Sequence, residues 1–111
     1  MPFIESSALP AKELAPGWFA RFFHSDHMTF AYTDVAAGSG VHLHDHPEEE
    51  VWHIVDGIAE ITLGGETRVV QAGDAVVVPS GVEHAARAVT GFRAIVVDYP
   101  VREVVAGVST R

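Results

Sequence analysis

Residues 38–57 read GSGVHLHDHPEEEVWHIVDG, a stretch that combines histidines and acids at short intervals. His44 and His46 stand two positions apart, and Glu50 follows four positions later. If His44 to His46 is a strand, its alternation sends both imidazoles to the same face. A bend predicted at Pro47 then lets Glu50 return on the neighbouring strand at the same depth.

Residues 73–88 read GDAVVVPSGVEHAARA and supply a further donor, His84. Imidazole nitrogens and a carboxylate oxygen that meet on one face are typical ligands of a divalent transition metal. The sequence therefore predicts one metal ion on His44, His46, Glu50 and His84. Such a donor set leaves the identity of the metal open among Fe, Mn, Ni, Zn and Cu.

The two stretches resemble the two sequence motifs of the cupin family. The first, G-x5-H-x-H-x3-4-E-x6-G, is matched at Gly38, His44, His46, Glu50 and Gly57. The second, G-x5-P-x-G-x2-H-x3-N, is matched at Gly73, Pro79, Gly81 and His84, with Ala88 in place of the final Asn. The resemblance implies an all-β fold, a small single-domain jelly-roll β-barrel with one metal on three His and one Glu. It implies no particular reaction, because cupins include oxygenases, isomerases, decarboxylases, lyases and non-enzymatic binders.

The remaining pattern agrees with an all-β chain. From Trp18 onward, short runs of β-branched and aromatic residues are separated by turn residues, and nothing predicts a long amphipathic helix. The predicted strands are Trp18–Phe23, Met28–Val35, Val41–His46, Val51–Val55, Ile58–Leu63, Glu66–Gln71, Ala75–Val78, His84–Val89 and Phe92–Asp98.

A length of 111 residues predicts one domain. We expect residues 18–111 to form the barrel and residues 1–17, which hold three prolines, to form an irregular N-terminal arm. The alternative is an arm that exchanges with a partner subunit.

Composition argues against several classes of protein. A formal net charge of −8 disfavours nucleic-acid binding, and the absence of cysteine excludes disulfides and thiolate metal sites. No apolar run has the length of a membrane span, and the N-terminus lacks a signal-peptide pattern. We therefore expect a cytoplasmic protein without membrane or nucleic-acid partners.

Alternate residues of a strand share a face (the same parity), and this alternation assigns further residues to the predicted site. Trp52 and Ile54 share parity with Glu50 and are expected to line the interior together with Phe30 and Tyr32, as core packing or as the wall of a substrate pocket.

His42 shares parity with His44 and is predicted to point inward, as a catalytic hydrogen-bond donor or proton shuttle. The alternative places it at the rim of the barrel. Val51, His53 and Val55 have the opposite parity to Glu50, so we expect them to face outward, where they could form a homodimer interface.

The ending from Asp98 to Glu103 resembles that of cupins that open the ring of unsaturated uronates, in which an arginine approaches the sugar carboxylate. Arg102 falls on that position, whereas Val96 and Asp98 depart from that family's acid and aromatic residue. The alternative is a surface ion pair of Arg102 with Glu103 or Asp98.

Three imidazoles and one carboxylate leave about two open positions on an octahedral ion. The prediction is a metal-dependent enzyme, a dioxygenase or a redox-neutral isomerase or lyase, acting on a small oxygen-rich or aromatic compound. The alternatives are a non-catalytic cupin that binds a metal or small ligand, and a uronate ring-opening enzyme.

Overall fold

The computed structural model describes residues 3–102 and, for their backbone alone, Val104–Val105 and Val108–Ser109. After a single 3-10 turn at Ser6–Ala8, the chain is built of strands. They are β1 Lys12–Ala15, β2 Trp18–His24, β3 Thr29–Val35, β4 Gly40–His44, β5 Glu49–Asp56, β6 Ile58–Leu63, β7 Glu66–Gln71, β8 Ala75–Val78, β9 His84–Ala88, β10 Phe92–Tyr99, β11 Val104–Val105 and β12 Val108–Ser109. Among the described residues, no helix is long and apolar enough to cross a membrane.

The main strands form two antiparallel sheets. The larger has the order β1-β2-β3-β10-β5-β8, the smaller has the order β4-β9-β6-β7, and β11 pairs with β12 separately. Fifteen buried apolar residues, including Trp18, Trp52 and Phe92, form one core cluster. The all-β prediction is confirmed, and the predicted bounds of β6, β7 and β8 agree with the observed ones.

The register of the larger sheet arranges its inward side chains in rows across the strands. The row nearest the predicted metal site contains Thr29, Asp98, Glu50 and Val78. The next row contains Phe22, Ala31, Val96, Trp52 and Val76. Further along come Ala20, Thr33, Ala94 and Ile54, and then Trp18, Val35 and Phe92. Oxygen-bearing groups are therefore concentrated at one end of this sheet.

The prediction that residues 1–17 are irregular is wrong for Lys12–Ala15. These residues form β1, which pairs with β2 and extends the edge of the larger sheet. Leu14 and Ala15 pack against the buried core, and the pairing gives their backbone hydrogen-bond partners. Exchange of this segment with a partner subunit stays a prediction.

Glycines are required at two tight turns. Gly57, between β5 and β6, has φ +83°, and an added Cβ would lie 2.1 Å from the carbonyl oxygen of Gly91. Gly64 and Gly65 form the two-residue hairpin between β6 and β7, with φ values of +54° and +89°. Residues with a Cβ rarely adopt these conformations, so the predicted hairpin follows from its two glycines.

Candidate metal centre

A bulge in β4 determines which of its histidines points inward. Val41 pairs with Ala86 and His44 pairs with His84, so the register shifts between these two pairs. The irregularity breaks the alternation on which the inward orientation of His42 was predicted. The His42 side chain is exposed and also borders the cavity described below, and its predicted inward orientation stays a prediction. A catalytic role of His42 stays a prediction.

His46 reaches the site by a different route from the one predicted. β4 ends at His44, so a continuous strand does not carry both rings. His46 lies beyond the strand and is buried, and its carbonyl oxygen accepts a hydrogen bond from Gly81 N–H at 2.9 Å. The loop before β9 therefore holds the backbone of His46 in place.

Glu50 lies on the facing sheet and not on the neighbouring strand, because β4 and β5 belong to different sheets. Its Oε2 lies 3.5 Å from His46 Nε2, and its Oε1 lies 3.4 Å from His84 Nε2. Trp52 Nε1–H donates a hydrogen bond of 2.6 Å to Glu50 Oε1. The two sheets thus bring a carboxylate and imidazoles together across the interior.

The three rings of His44, His46 and His84 are held by hydrogen bonds to backbone carbonyls. Their Nδ1 atoms donate to His42 O at 2.7 Å, Glu48 O at 3.0 Å and Val82 O at 2.9 Å, respectively. Since a carbonyl only accepts, each Nδ1 carries the proton and each Nε2 keeps its lone pair. The Nε2 atoms of His46 and His84 are buried and have no hydrogen-bond partner.

This arrangement fits a metal ion. Nitrogens of His44, His46 and His84 lie within 4.8 Å of one another, as do ligand atoms of His46, Glu50 and Asp98. Unpartnered buried nitrogen lone pairs are costly in a folded protein unless a ligand satisfies them. His44, His46, His84 and Glu50 form a group that could hold a metal, as the sequence predicts.

Hydrogen bonding controls the protonation of the carboxylate at this site. Burial raises the pKa of Glu50, but the neighbouring side chains of His46, His84 and Asp98 and the hydrogen bond from Trp52 outweigh burial and hold the pKa well below its usual range. Burial lowers the pKa of His44. Burial is also the largest single effect on His84, but the neighbouring Glu50 and the carbonyl of Val82 together outweigh it and raise the pKa of His84. Glu50 is therefore ionised and ready to accept a cation.

Asp98 is the main residue of the site that the sequence interpretation did not select. It is buried, it pairs with Glu50 in the register of β10 and β5, and its Oδ1 has no hydrogen-bond partner. Burial, the hydrogen bond to Glu50 and the charge of Glu50 raise the pKa of Asp98 to about 9. Alternation along β10 could have identified Asp98, because it lies on the same face of the predicted strand as Ala94 and Val96.

Arg102 lies beside these carboxylates. Its Nη1 is 3.4 Å from Glu50 Oε2 and 3.8 Å from Asp98 Oδ2, and its Nε is 4.0 Å from Glu48 Oε1. Its backbone N–H donates to Thr29 Oγ1 at 2.9 Å, which ties the segment after β10 to β3. The contact of Arg102 with Asp98 that the alternative predicts is present, but its surface location is wrong, because both side chains are largely buried. Glu103 lies outside the described residues.

Comparison with known proteins agrees with this geometry. Residues 31–98 match the family model of the cupin domain. This chain belongs to the cupin family.

An uncharacterised protein of Streptomyces coelicolor is 35% identical over 68 residues, which span 61% of this chain and 65% of that protein. The structure of KdgF from Halomonas sp. aligns with a TM-score of 0.87 at 24% identity, over 93% of this chain and 96% of KdgF. A variant of salicylate 1,2-dioxygenase from Pseudoaminobacter salicylatoxidans aligns with a TM-score of 0.73 at 22% identity, over 77% of this chain and 27% of that one. These likenesses confirm the jelly-roll cupin fold.

A cavity of about 480 Å³ lies inside the cupin barrel next to the metal-ligand group. Its volume falls in the range of small-molecule sites. His44, Glu50, Asp98 and Arg102 border it, and so does Trp52, as predicted for a pocket residue. Ile54 is buried in the core but does not border the cavity.

Phe30 and Tyr32 do not line the interior, so that prediction is wrong. Thr29, Ala31 and Thr33 are the inward, buried residues of β3. Phe30 and Tyr32 lie on the opposite face, where the ring of Phe23 stacks on Phe30 at 4.8 Å and contacts Tyr32 at 5.8 Å. Alternation shows which residues share a face but does not show which face is buried.

Proposed function

We propose that this cupin is a metal-dependent enzyme that acts on a small molecule bound in its barrel. The observation that carries the proposal is the pair of buried Nε2 atoms of His46 and His84, which lack hydrogen-bond partners and lie within 3.5 Å of the ionised Glu50. A structural role alone gives no reason to keep such groups unpaired.

The proposed ligands are His44, His46, Glu50 and His84. A divalent ion held by them supplies either Lewis-acid polarisation of a substrate oxygen, as in an isomerase or lyase, or redox chemistry with O2, as in a dioxygenase. The carbonyls that bind each Nδ1–H keep the rings oriented, and Trp52 keeps Glu50 oriented.

Asp98 and Arg102 complete the polar end of the cavity. In the metal-free protein, burial and the neighbouring Glu50 raise the pKa of Asp98 to about 9, so that its carboxyl group borders the cavity as a neutral acid at neutral pH. Arg102 places a guanidinium at the same end, where it can attract an anionic group of the substrate.

A uronate ring-opening activity is a second candidate. It is favoured by the position of Arg102 at the cavity and by the resemblance of the segment from Asp98 to Glu103 to the ending of uronate ring-opening cupins, and the fold is similar to that of KdgF. This activity predicts turnover of a 4,5-unsaturated uronate without O2. Failure with every such uronate would remove it.

The test of the metal site is the metal content of freshly purified protein, measured by mass spectrometry, for the parent and for His46→Ala. We expect about one ion per chain in the parent and loss of retention in the variant, because a ligand is removed. His27→Ala is the matched control, since His27 is exposed in the turn after β2. His46→Gln, with circular dichroism of both variants, separates loss of metal from loss of fold. A folded His46→Ala protein with full metal content would contradict the assignment.

The type of reaction is tested with the parent protein after anaerobic loading with Fe(II). Substrate-dependent O2 uptake with phenols, diketones or sugar acids indicates a dioxygenase. Turnover without O2 uptake indicates an isomerase or lyase. Ligand binding without turnover across the panel would overturn the enzymatic part of the proposal and leave a metal-binding cupin.

We also propose that the chain forms a homodimer through the outer face of the larger sheet. Val51, His53 and Val55 are exposed there, as the sequence predicts. The register places Phe30, Val97, Val51 and Val77 side by side on four neighbouring strands. A continuous apolar row of this kind is typical of a protein–protein contact, and a second copy brings a matching apolar face.

A further inference from the structure

The side chains that line the cavity change from polar to apolar with distance from the metal-ligand group. On the larger sheet, the row of Asp98 and Glu50 is followed by the row of Phe22, Ala31, Val96 and Trp52. Inward rows of a sheet are about 7 Å apart, since each step covers two residues. A ligand whose head lies at the carboxylates therefore places its body against an apolar wall.

The smaller sheet repeats this order. His44 and His84 form a pair in β4 and β9, and the inward pair beyond them is Val41 and Ala86. Leu43, beside the bulge, also borders the cavity. The two facing sheets therefore place their polar groups at the same end and their apolar groups at the other.

The N-terminal segment closes the apolar part of the cavity. Leu14, Ala15 and Pro16 border it, and they do so because β1 pairs with the edge of the larger sheet. Trp18 and Trp52 border it as well, with their rings edge to face and 5.7 Å between centroids. Aliphatic and aromatic groups in this arrangement provide contact surface for a flat or branched hydrocarbon.

Few groups in the apolar part can satisfy a hydroxyl. Beyond the carboxylates, the polar side-chain groups of the described residues that border the cavity are the hydroxyl of Thr33, the imidazole of the exposed His42 and the N–H groups of Trp18 and Trp52, of which Trp52 already donates to Glu50. A polyhydroxylated ring would lose its water contacts there without gaining hydrogen bonds. At the polar end, by contrast, the positive charges are those of Arg102, which contacts Glu50 and Glu48, and of the proposed divalent ion.

We propose that the cavity selects small amphipathic acids, which have one anionic, oxygen-rich head and an aromatic or branched hydrocarbon body. The head lies at the polar end beside Arg102, and the body lies between the tryptophans and β1. This inference rests on the proposed function in placing the head at the metal-ligand group. It disfavours sugar acids, whose hydroxyls extend along the whole ring.

The test compares three ligands of similar length: 3-phenylpropanoate, its neutral analogue 3-phenylpropan-1-ol, and glucuronate. Binding to zinc-loaded and to EDTA-treated protein is measured by calorimetry and by tryptophan fluorescence. Fluorescence reports on the site directly, because Trp18 and Trp52 are the two tryptophans of the chain and both border the cavity. We expect 3-phenylpropanoate to bind the zinc-loaded protein at least about 10-fold more tightly than either comparison ligand.

A cavity-filling variant tests the location of the body. Ala31→Leu adds bulk to the apolar row without changing a proposed ligand, and we expect about a 10-fold loss of affinity for 3-phenylpropanoate at unchanged metal content. Ala72→Leu, in an exposed turn, is the matched control. Ala20→Val adds a smaller side chain in the next row, and it keeps the test available if Ala31→Leu does not fold.

The outcomes separate this inference from the proposed function. Equal or tighter binding of glucuronate, or unchanged affinity in both filled variants, would overturn the inference while leaving the metal site intact. If the protein binds 3-phenylpropanoate but cannot be loaded with metal, the apolar pocket is supported and the proposed metal-dependent activity is contradicted.

Discussion

The two faces of β5 differ in polarity and in exposure. Inward, Glu50 is a carboxylate that is only 3% exposed, whereas outward its neighbour Val51 is an apolar side chain that is 36% exposed. The ordinary distribution buries valine and exposes glutamate. Burial of an acid costs free energy unless partners compensate for it, and exposure of an apolar row forgoes hydrophobic stabilisation. This difference supports the two proposals, a metal site on the inner face and a homodimer contact on the outer face.

The largest effect is expected for Asp98, the second buried acid of the inner face, on the free energy of unfolding. The pKa of Asp98 is raised from 3.8 to about 9, so the folded state holds the proton more tightly than the unfolded state. Its contribution to stability is therefore most favourable below pH 3.8 and is lost as the pH rises towards 9. For metal-free protein at pH 8, Asp98→Asn should increase the free energy of unfolding by roughly 2–4 kcal/mol.

Urea unfolding in EDTA at pH 4 and pH 8 measures this effect. At pH 4 the variant and the parent should differ little. Asp34→Asn, on the exposed side of β3, controls for the removal of a negative charge. If Asp98→Asn and the parent have the same free energy of unfolding at pH 8, the pKa of Asp98 is not raised in the folded protein.

Val51→Asp tests the outer face. A charge placed in the apolar row should weaken the proposed homodimer by about 100-fold, because the interface would bury it without a partner. Sedimentation velocity across a range of concentrations measures the dissociation constant. Val69→Asp, on an exposed position of the smaller sheet, is the matched control. A monomeric parent, or equal weakening by both variants, would contradict the proposed interface.

Trp52→Phe sharpens the comparison within the inner face. The variant keeps an aromatic ring but removes the N–H that donates to Glu50 Oε1 at 2.6 Å. We expect zinc affinity, measured by competition with a chelator, to fall by about 10-fold, the effect typical of losing a partner that orients a metal ligand. Trp18→Phe changes the same kind of residue in the same cavity and should leave zinc affinity within about threefold of the parent, since among the described residues it is Trp52 and not Trp18 that donates to a proposed ligand. Equal losses in both variants would show that packing, and not the hydrogen bond, is responsible.

The smallest effect is expected at His42. The structure uses its backbone carbonyl to hold His44 Nδ1, and a substitution leaves that carbonyl in place. His42→Ala should therefore retain zinc affinity within about threefold of the parent. A loss beyond about 10-fold would show that the exposed imidazole supports the metal site directly.

Parity explains both the successes and the errors of the sequence interpretation. Glu50, Trp52 and Ile54 were assigned to the interior correctly, because β5 is regular across that segment. For His42 the argument from alternation does not hold, because the irregular register of β4 changes which residues alternate. Phe30 and Tyr32 were assigned to the interior wrongly, because the inward, buried residues of β3 are Thr29, Ala31 and Thr33.

The metal-ligand residues and most strand boundaries follow from local information, because short spacings, turn glycines and runs of β-branched residues act within a few positions of the chain. The position of Asp98 beside Glu50, the approach of Arg102 and the closure of the cavity by β1 arise from pairing between distant strands. Strand register and the choice of buried face depend on the packing of the whole barrel. The sequence of a single strand does not specify which strands pair with it. Local chemistry thus identifies the candidate metal ligands, and long-range packing decides the shape and polarity of the space around them.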